Sequence, residues 1–149
     1  KKSVYKTADI TTEVLLRFFR AQGITSSYDA LTGEILSRPE HGLAYPLITT
    51  IQSSQKTIQL TARAQAIDVN RMAEVSALVP VAAQNVSPIS FRAYRDAEGI
   101  PTLEGRYEVP TQYGVPQRLL QRVTNHFTWR FEEALKVDAK DVLIKLNRD

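Results

Sequence analysis

Residues 89–109, ISFRAYRDAEGIPTLEGRYEV, decide the fold class. Ile89, Phe91 and Ala93 alternate with Ser90, Arg92 and Tyr94. Leu103, Tyr107 and Val109 alternate with Glu104, Arg106 and Glu108. A period of two belongs to a strand with one buried and one wet face. Asp96-Ala97-Glu98-Gly99 between the runs has turn composition, so the stretch predicts an antiparallel hairpin. Gly105 interrupts the second strand, which predicts a bulge or a close approach by another backbone.

Upstream the same period recurs. SSYDALTGEILSR reads as two short strands around a turn at Thr32-Gly33. GLAYPLITTIQS and KTIQLTARAQ read as a second hairpin joined by Ser53-Ser54-Gln55-Lys56, with Pro46 marking an edge or a bulge. Three segments have helical spacing instead. Thr11 caps a helix to about Gln22 with Val14, Leu15, Phe18 and Phe19 on one face, and Gly23 ends it. Asp68 is the expected N-cap of a second helix whose shared face is Val69, Met72, Ala73, Ser76 and Val79, with a stop or kink near Val79 imposed by Pro80. Pro116 opens a long helix with Leu119, Leu120, Val123, Phe127, Phe131, Ala134 and Leu135 toward the core.

The element order is therefore helix, three strands, helix, two strands, long helix. Antiparallel strands with segregated helices predict an α+β fold with the helices on one face of the sheet. Residues 1–10 are expected to form a flexible N-terminal segment, and residues 11–149 a single domain. The tail from Val137 is either a further helix or an edge strand. At 149 residues, with 43% hydrophobic and 23% charged content, the chain has the composition of an ordinary globular domain large enough to bury a core unaided.

Chemistry is harder to find. The chain has no cysteine, which excludes disulfides, thiolate zinc sites and cysteine nucleophiles. His41 and His126 form no metal-ligand pair, so no metal and no cofactor is expected. Ser53, Ser54, Ser87 and Ser90 lie in no nucleophile elbow. Glu132-Glu133 point apart on a helix, and Asp96 and Glu98 suit a solvated turn. The glycines are isolated and make no phosphate cradle. The expectation is a protein without catalytic residues.

Net charge is +3, without a basic run longer than Lys1-Lys2. Nucleic-acid binding is therefore not expected, although Arg92, Arg95 and Arg106 on one hairpin would be its residues, with Glu104 and Glu108 on the same face opposing it. No apolar run is long enough to span a membrane. The expected setting is cytoplasmic, and a removed signal peptide would leave no trace in this sequence.

The exception to the amphipathic pattern is Trp129, the sole tryptophan. At about 100° per residue it lies opposite Leu120, on the side of Arg118, Arg122, Asn125, Glu133 and Lys136. Three placements are open: against Val142, Leu143 or Leu146 of the tail, in a subunit interface, or against another protein. Tryptophan beside arginine is the composition of a binding hot spot, which makes Trp129, Arg118, Arg122 and Glu133 the candidate protein-binding residues. The partner is a protein, with a second copy of the chain as one form of it. The alternative is a small-ligand pocket between the sheet and the last helix, lined by Phe91, Tyr107, Phe127 and Phe131.

The series TTEVLLRFFRAQG, GEILSR, TIQLTARA, the 89–110 hairpin and PQRLLQRVTNHFTWRFEEAL resembles the YbjN-like bacterial domains, described as sensory transduction regulators. The resemblance spans Thr11 to Leu135 and rests on element order and apolar positions. It implies a fold similar to that of the type III secretion chaperones, a regulatory or chaperone-like role through protein contacts, and dimers. Two departures stand out. The family commonly shows a Leu-Asn pair in the middle helix, whereas here that segment reads EVSALVPVAAQN with Pro80 intruding, and the chain is mildly basic where secretion chaperones are usually acidic. The resemblance carries over no catalytic residue.

Overall fold

The computed structural model describes residues 3–85 and 88–146. In chain order the strands are β1 (Val4–Tyr5), β2 (Ser26–Asp29), β3 (Glu34–Ser37), β4 (Leu47–Gln52), β5 (Thr57–Gln65), β6 (Ser90–Arg95), β7 (Pro101–Pro110) and β8 (Val115–Pro116). The helices are α1 (Thr12–Ala21), α2 (Met72–Asn85) and α3 (Gln117–Ala134). Strands β2-β3-β4-β5-β7-β6 form one sheet in that order, and all of its pairs are antiparallel. The expected α+β class holds. Four strands separate α1 from α2, the two read in SSYDALTGEILSR and the two of the second hairpin, one more than the three of the expected element order.

The 89–109 hairpin has the expected register, with Phe91 opposite Gly105 and Arg92 opposite Glu104. Its turn is closed by Asp96, whose Oδ1 accepts the Glu98 and Ile100 amides. The pairing passes through Gly105 unbroken on both sides, so there is no bulge. The glycine is needed because Phe131 of α3 packs onto it: a Cβ there would stand 2.7 Å from Phe131 Cδ1. With Ala62 opposite Gly105, the sheet centre is low enough for the ring, which also meets Tyr45 and Phe91.

One face of the sheet carries Ile35, Leu47, Ile58, Leu60, Ala62, Ala64 and Leu103, all at most 2% exposed. Leu15, Phe18 and Phe19 of α1, Val75 of α2, and Leu120, Phe127 and Phe131 of α3 close over it as one cluster. Each large side chain so buried contributes about 1.5–3 kcal/mol. Thr11 caps α1 as expected, accepting the Val14 amide.

Three details correct the sequence reading. Asp68 does not cap α2; it bonds the Asn70 amide and Arg71, and the helix begins at Met72. Its buried residues are Val75 and Ala82, not the Val69–Met72–Ala73–Ser76 face, and it runs through Pro80 without stopping at Val79. Pro80 is exposed, so its ring disturbs no packing, while Val75 and Ala82 are held on either side of it. Residues 138–146 of the tail form neither helix nor strand. Asp138 accepts the Val142 and Leu143 amides, and Leu143 makes an isolated bridge with Ala66 at the end of β5. The N-terminal segment pairs through β1 with β8, and Thr7 donates to the Thr111 carbonyl. Among the described residues, no helix is long and apolar enough to cross a membrane.

Candidate functional site

Helix α3 presents two different faces. Leu120, Thr124, Phe127, Thr128, Phe131 and Ala134 are buried. Leu119, expected in the core, is 44% exposed. The helix is turned so that Thr124 and Thr128 enter the core instead. They can do so because each hydroxyl donates to the carbonyl three residues back, Gln121 and Asn125. The Ala44 amide then donates to Thr128 Oγ1, which pins the loop between β3 and β4 along one flank of α3.

The opposite face holds Trp129, 55% exposed. Val142 and Leu143 are buried in the core, and Leu146 packs against the same cluster, to which Trp129 does not belong. Arg118, Arg122, His126 and Arg130 recur every fourth position beside it, and all four are exposed. Among the described residues, Arg118, Arg122 and Arg130 make no ion pair. Glu133, the fourth candidate, is tied at 2.8 Å to Lys136, in the 3-10 turn that follows α3. Trp129, Arg118 and Arg122 thus share an accessible surface, and Glu133 borders it as half of a pair.

Beside this face, a groove of about 220 Å³ opens between α3 and the sheet. Its floor is Ile89, Tyr107, Val123 and Phe127, and its rim is Arg122, His126 and Arg130. The pocket expected under the last helix is therefore real in part. Tyr107 and Phe127 line it, while Phe131 is fully buried and Phe91 stacks on Phe131 at 6.1 Å.

The uncovered sheet face carries a network. Glu104 is 1% exposed although no helix covers it. Arg92 Nε donates to its Oε2 at 2.7 Å, Arg106 Nη2 to Oε2 at 3.1 Å, and Arg63 Nε to Oε1 at 3.2 Å. The Tyr94 hydroxyl donates to Oε1 at 2.9 Å, and the Arg92 guanidinium lies 4.5 Å above the Tyr94 ring. Burial pushes the Glu104 carboxyl up, but the hydrogen bonds of Arg92, Tyr94 and Arg63 outweigh it and hold it below the usual carboxylate range. Arg63 also bonds Glu34 at 3.0 Å, which ties β3 to β5.

This network answers the nucleic-acid reading of the hairpin. Arg92 and Arg106 are spent on Glu104, and Arg95 donates to the Val69 and Gly99 carbonyls. Arg118, Arg122 and Arg130 of α3 make no such bonds among the described residues. The sequence reading placed Arg92, Glu104 and Arg106 on one wet face but took Glu104 as a repelling charge. The cross-strand pairing of Arg92 with Glu104 was the signal that it is a clamp.

The remaining candidates lie apart. His41 packs against Gly23 at the end of α1, whereas His126 is on α3. Ser53 and Ser54 sit in the β4–β5 turn, Ser90 opens β6, and Ser87 lies outside the described residues. Among the described residues, no three His, Cys, Asp or Glu side chains come together as a metal site.

In comparison with known structures, this chain is similar to YbjN from E. coli, described there as a candidate transcription regulator. The TM-score is 0.73 over 91% of this chain and 97% of that one, at 11% identity. An uncharacterized protein from Methanothermobacter thermautotrophicus aligns with a TM-score of 0.59 over 88% of this chain and 98% of its own, at 8% identity. No family model and no curated protein matches the sequence. The chain has a YbjN-like fold.

Proposed function

We propose that this chain is a non-catalytic protein-binding domain with a regulatory role, docking through the outer face of α3. The observation that carries the reading is Trp129, 55% exposed on a helix whose neighbouring arginines make no ion pair among the described residues. An indole left in water costs free energy that the fold itself does not recover, and tryptophan and arginine are the residues most enriched where interfaces hold their binding energy. The regulatory part of the reading draws on the fold shared with YbjN, described as a candidate transcription regulator.

A heterologous partner suits this face better than a second copy. An isologous contact brings the same patch together twice, which would place the basic row of one copy close to that of the other.

The test compares wild type with Trp129→Ala for retention of proteins from a cell extract, with melting curves to check the fold. Partners held by wild type and lost by a folded Trp129→Ala support the reading. Equal retention by both contradicts it. Turnover of any substrate in an activity screen, lost on substitution of His126 or Glu104, contradicts the non-catalytic part.

A further inference from the structure

The groove and the arginine row together describe a partner more narrowly than exposure alone does. We propose that α3 and β7 bind an acidic segment of another protein, with one apolar side chain of that segment seated in the groove. The proposal rests on the docking face argued above and adds the chemistry of what docks there.

Three observations carry it. The first is charge. Arg122, His126 and Arg130 rim the groove, Arg118 continues the row, and among the described residues no carboxylate lines the groove. The arginines of the sheet face are already satisfied by Glu104 and Glu34, whereas those of α3 have no acceptor among the described residues. A guanidinium offers a planar fork of donors that fits a carboxylate bidentately.

The second is size. The groove holds about 220 Å³, below the roughly 300–1,000 Å³ of sites that enclose a whole ligand. Its apolar floor of Ile89, Tyr107, Val123 and Phe127 has room for one leucine or phenylalanine side chain.

The third is length. Arg118 to Arg130 spans about 18 Å along the helix at about 1.5 Å per residue. A single small anion leaves most of that row unused. An extended chain of about five or six residues, at roughly 3.3 Å each, matches it. A nucleic-acid duplex would match the charge too, but its bases are stacked within the helix and would leave the apolar floor unfilled.

The experiment measures binding of the full chain to four sets of short peptides. One set carries Asp and Glu around a Leu or Phe. In the second the acids are replaced by Lys, in the third by Ser, and in the fourth the apolar residue is Ala. A duplex DNA serves as a fifth probe. Protein variants are Trp129→Ala, Arg122→Glu/Arg130→Glu and the milder Arg122→Gln/Arg130→Gln, all at exposed positions and checked by melting curves. The expected result is that the acidic, anchored set binds best. The glutamate double variant should weaken it at least about tenfold, the glutamine variant less, and the alanine anchor about fivefold, with further loss in high salt.

Acidic peptides that bind no better than serine peptides overturn the proposal, as does binding unchanged in both double variants. Serine or basic peptides bound in a Trp129-dependent manner overturn the acidic partner but leave the protein-docking reading standing. Binding of the duplex alone overturns both.

Discussion

Gly105 and Phe131 are in such close contact that a methyl group on the glycine would stand 2.7 Å from the ring carbon Cδ1. The ring is fully buried and also packs on Tyr45 and Phe91. The last helix can therefore settle on the sheet only where position 105 has no side chain. The groove and the Trp129 face owe their position to this contact.

Gly105→Ala is expected to destabilise the fold by about 2 kcal/mol, the usual cost of overpacking. Phe131→Leu removes ring atoms from the same contact, so the double variant should lose less than the sum of the two single changes. Denaturant unfolding of the three variants measures this. Strict additivity would mean the two positions do not compete for the same space.

Glu104→Gln breaks a clamp that joins β5, β6 and β7. The expected loss is roughly 2 kcal/mol, below the ~3–5 kcal/mol of a fully buried pair because the arginines remain partly in water. Its pH dependence has a definite sign. The folded carboxyl titrates below its ordinary value of 4.5. Its stabilisation is thus complete above that value and is lost as pH falls through the lower, folded one. Wild type should lose its advantage over Glu104→Gln in acid, as read from urea midpoints across pH. A gap that persists unchanged into strong acid would show that the charge is not the source.

Tyr45 predicts the opposite limb. Burial, and then the charge of Glu132, push its phenol up to about 12. A raised value means that stability is intact below the ordinary tyrosine pKa of about 10 and is lost as pH rises toward 12. Tyr45→Phe should flatten this alkaline loss. Absorbance titration should show late-ionising tyrosines among the six, Tyr45 last, with Tyr5 and Tyr94 also delayed by burial, and the last step should disappear in Tyr45→Phe.

Pro80 sits in the interior of α2 without ending it. It leaves the Ser76 carbonyl without its helical donor. Because Pro80 is exposed, Pro80→Ala restores that hydrogen bond and disturbs no core. An increase in stability of about 1 kcal/mol is expected, read from the melting temperature. A decrease would mean that the proline sets the course of the helix.

The fold was legible where one physical signal dominated. Strict alternation in 89–109 gave the hairpin and its faces, and Thr11 and Gly23 marked the ends of α1. The misreadings came from tertiary context overriding local rules. Thr124 and Thr128 entered the core because each hydroxyl found a carbonyl on its own helix, which no hydrophobicity pattern reveals. Pro80 was carried through by anchors on both sides. Gly105 looked like a bulge because the Phe131 that needs the space is distant in sequence. Of the candidate site, the side of α3 that holds Trp129 followed from its helical position, while its exposure did not, because a tail packed over it was an open placement. The groove beside it required the three-dimensional meeting of α3 with Ile89 and Tyr107.

Trp129 is the sole tryptophan, so its fluorescence reports on the docking face alone. The most direct measurement is acrylamide quenching and emission wavelength of Trp129, free and saturated with whichever of the tryptophan-free peptide sets binds. In the free chain the indole, 55% exposed, should emit as a solvated tryptophan and quench readily. Bound peptide is expected to shift the emission to the blue and to protect it from quencher. A peptide that binds tightly yet leaves both signals unchanged would contradict the account, and the outer face of α3 would not be where this protein meets its partner.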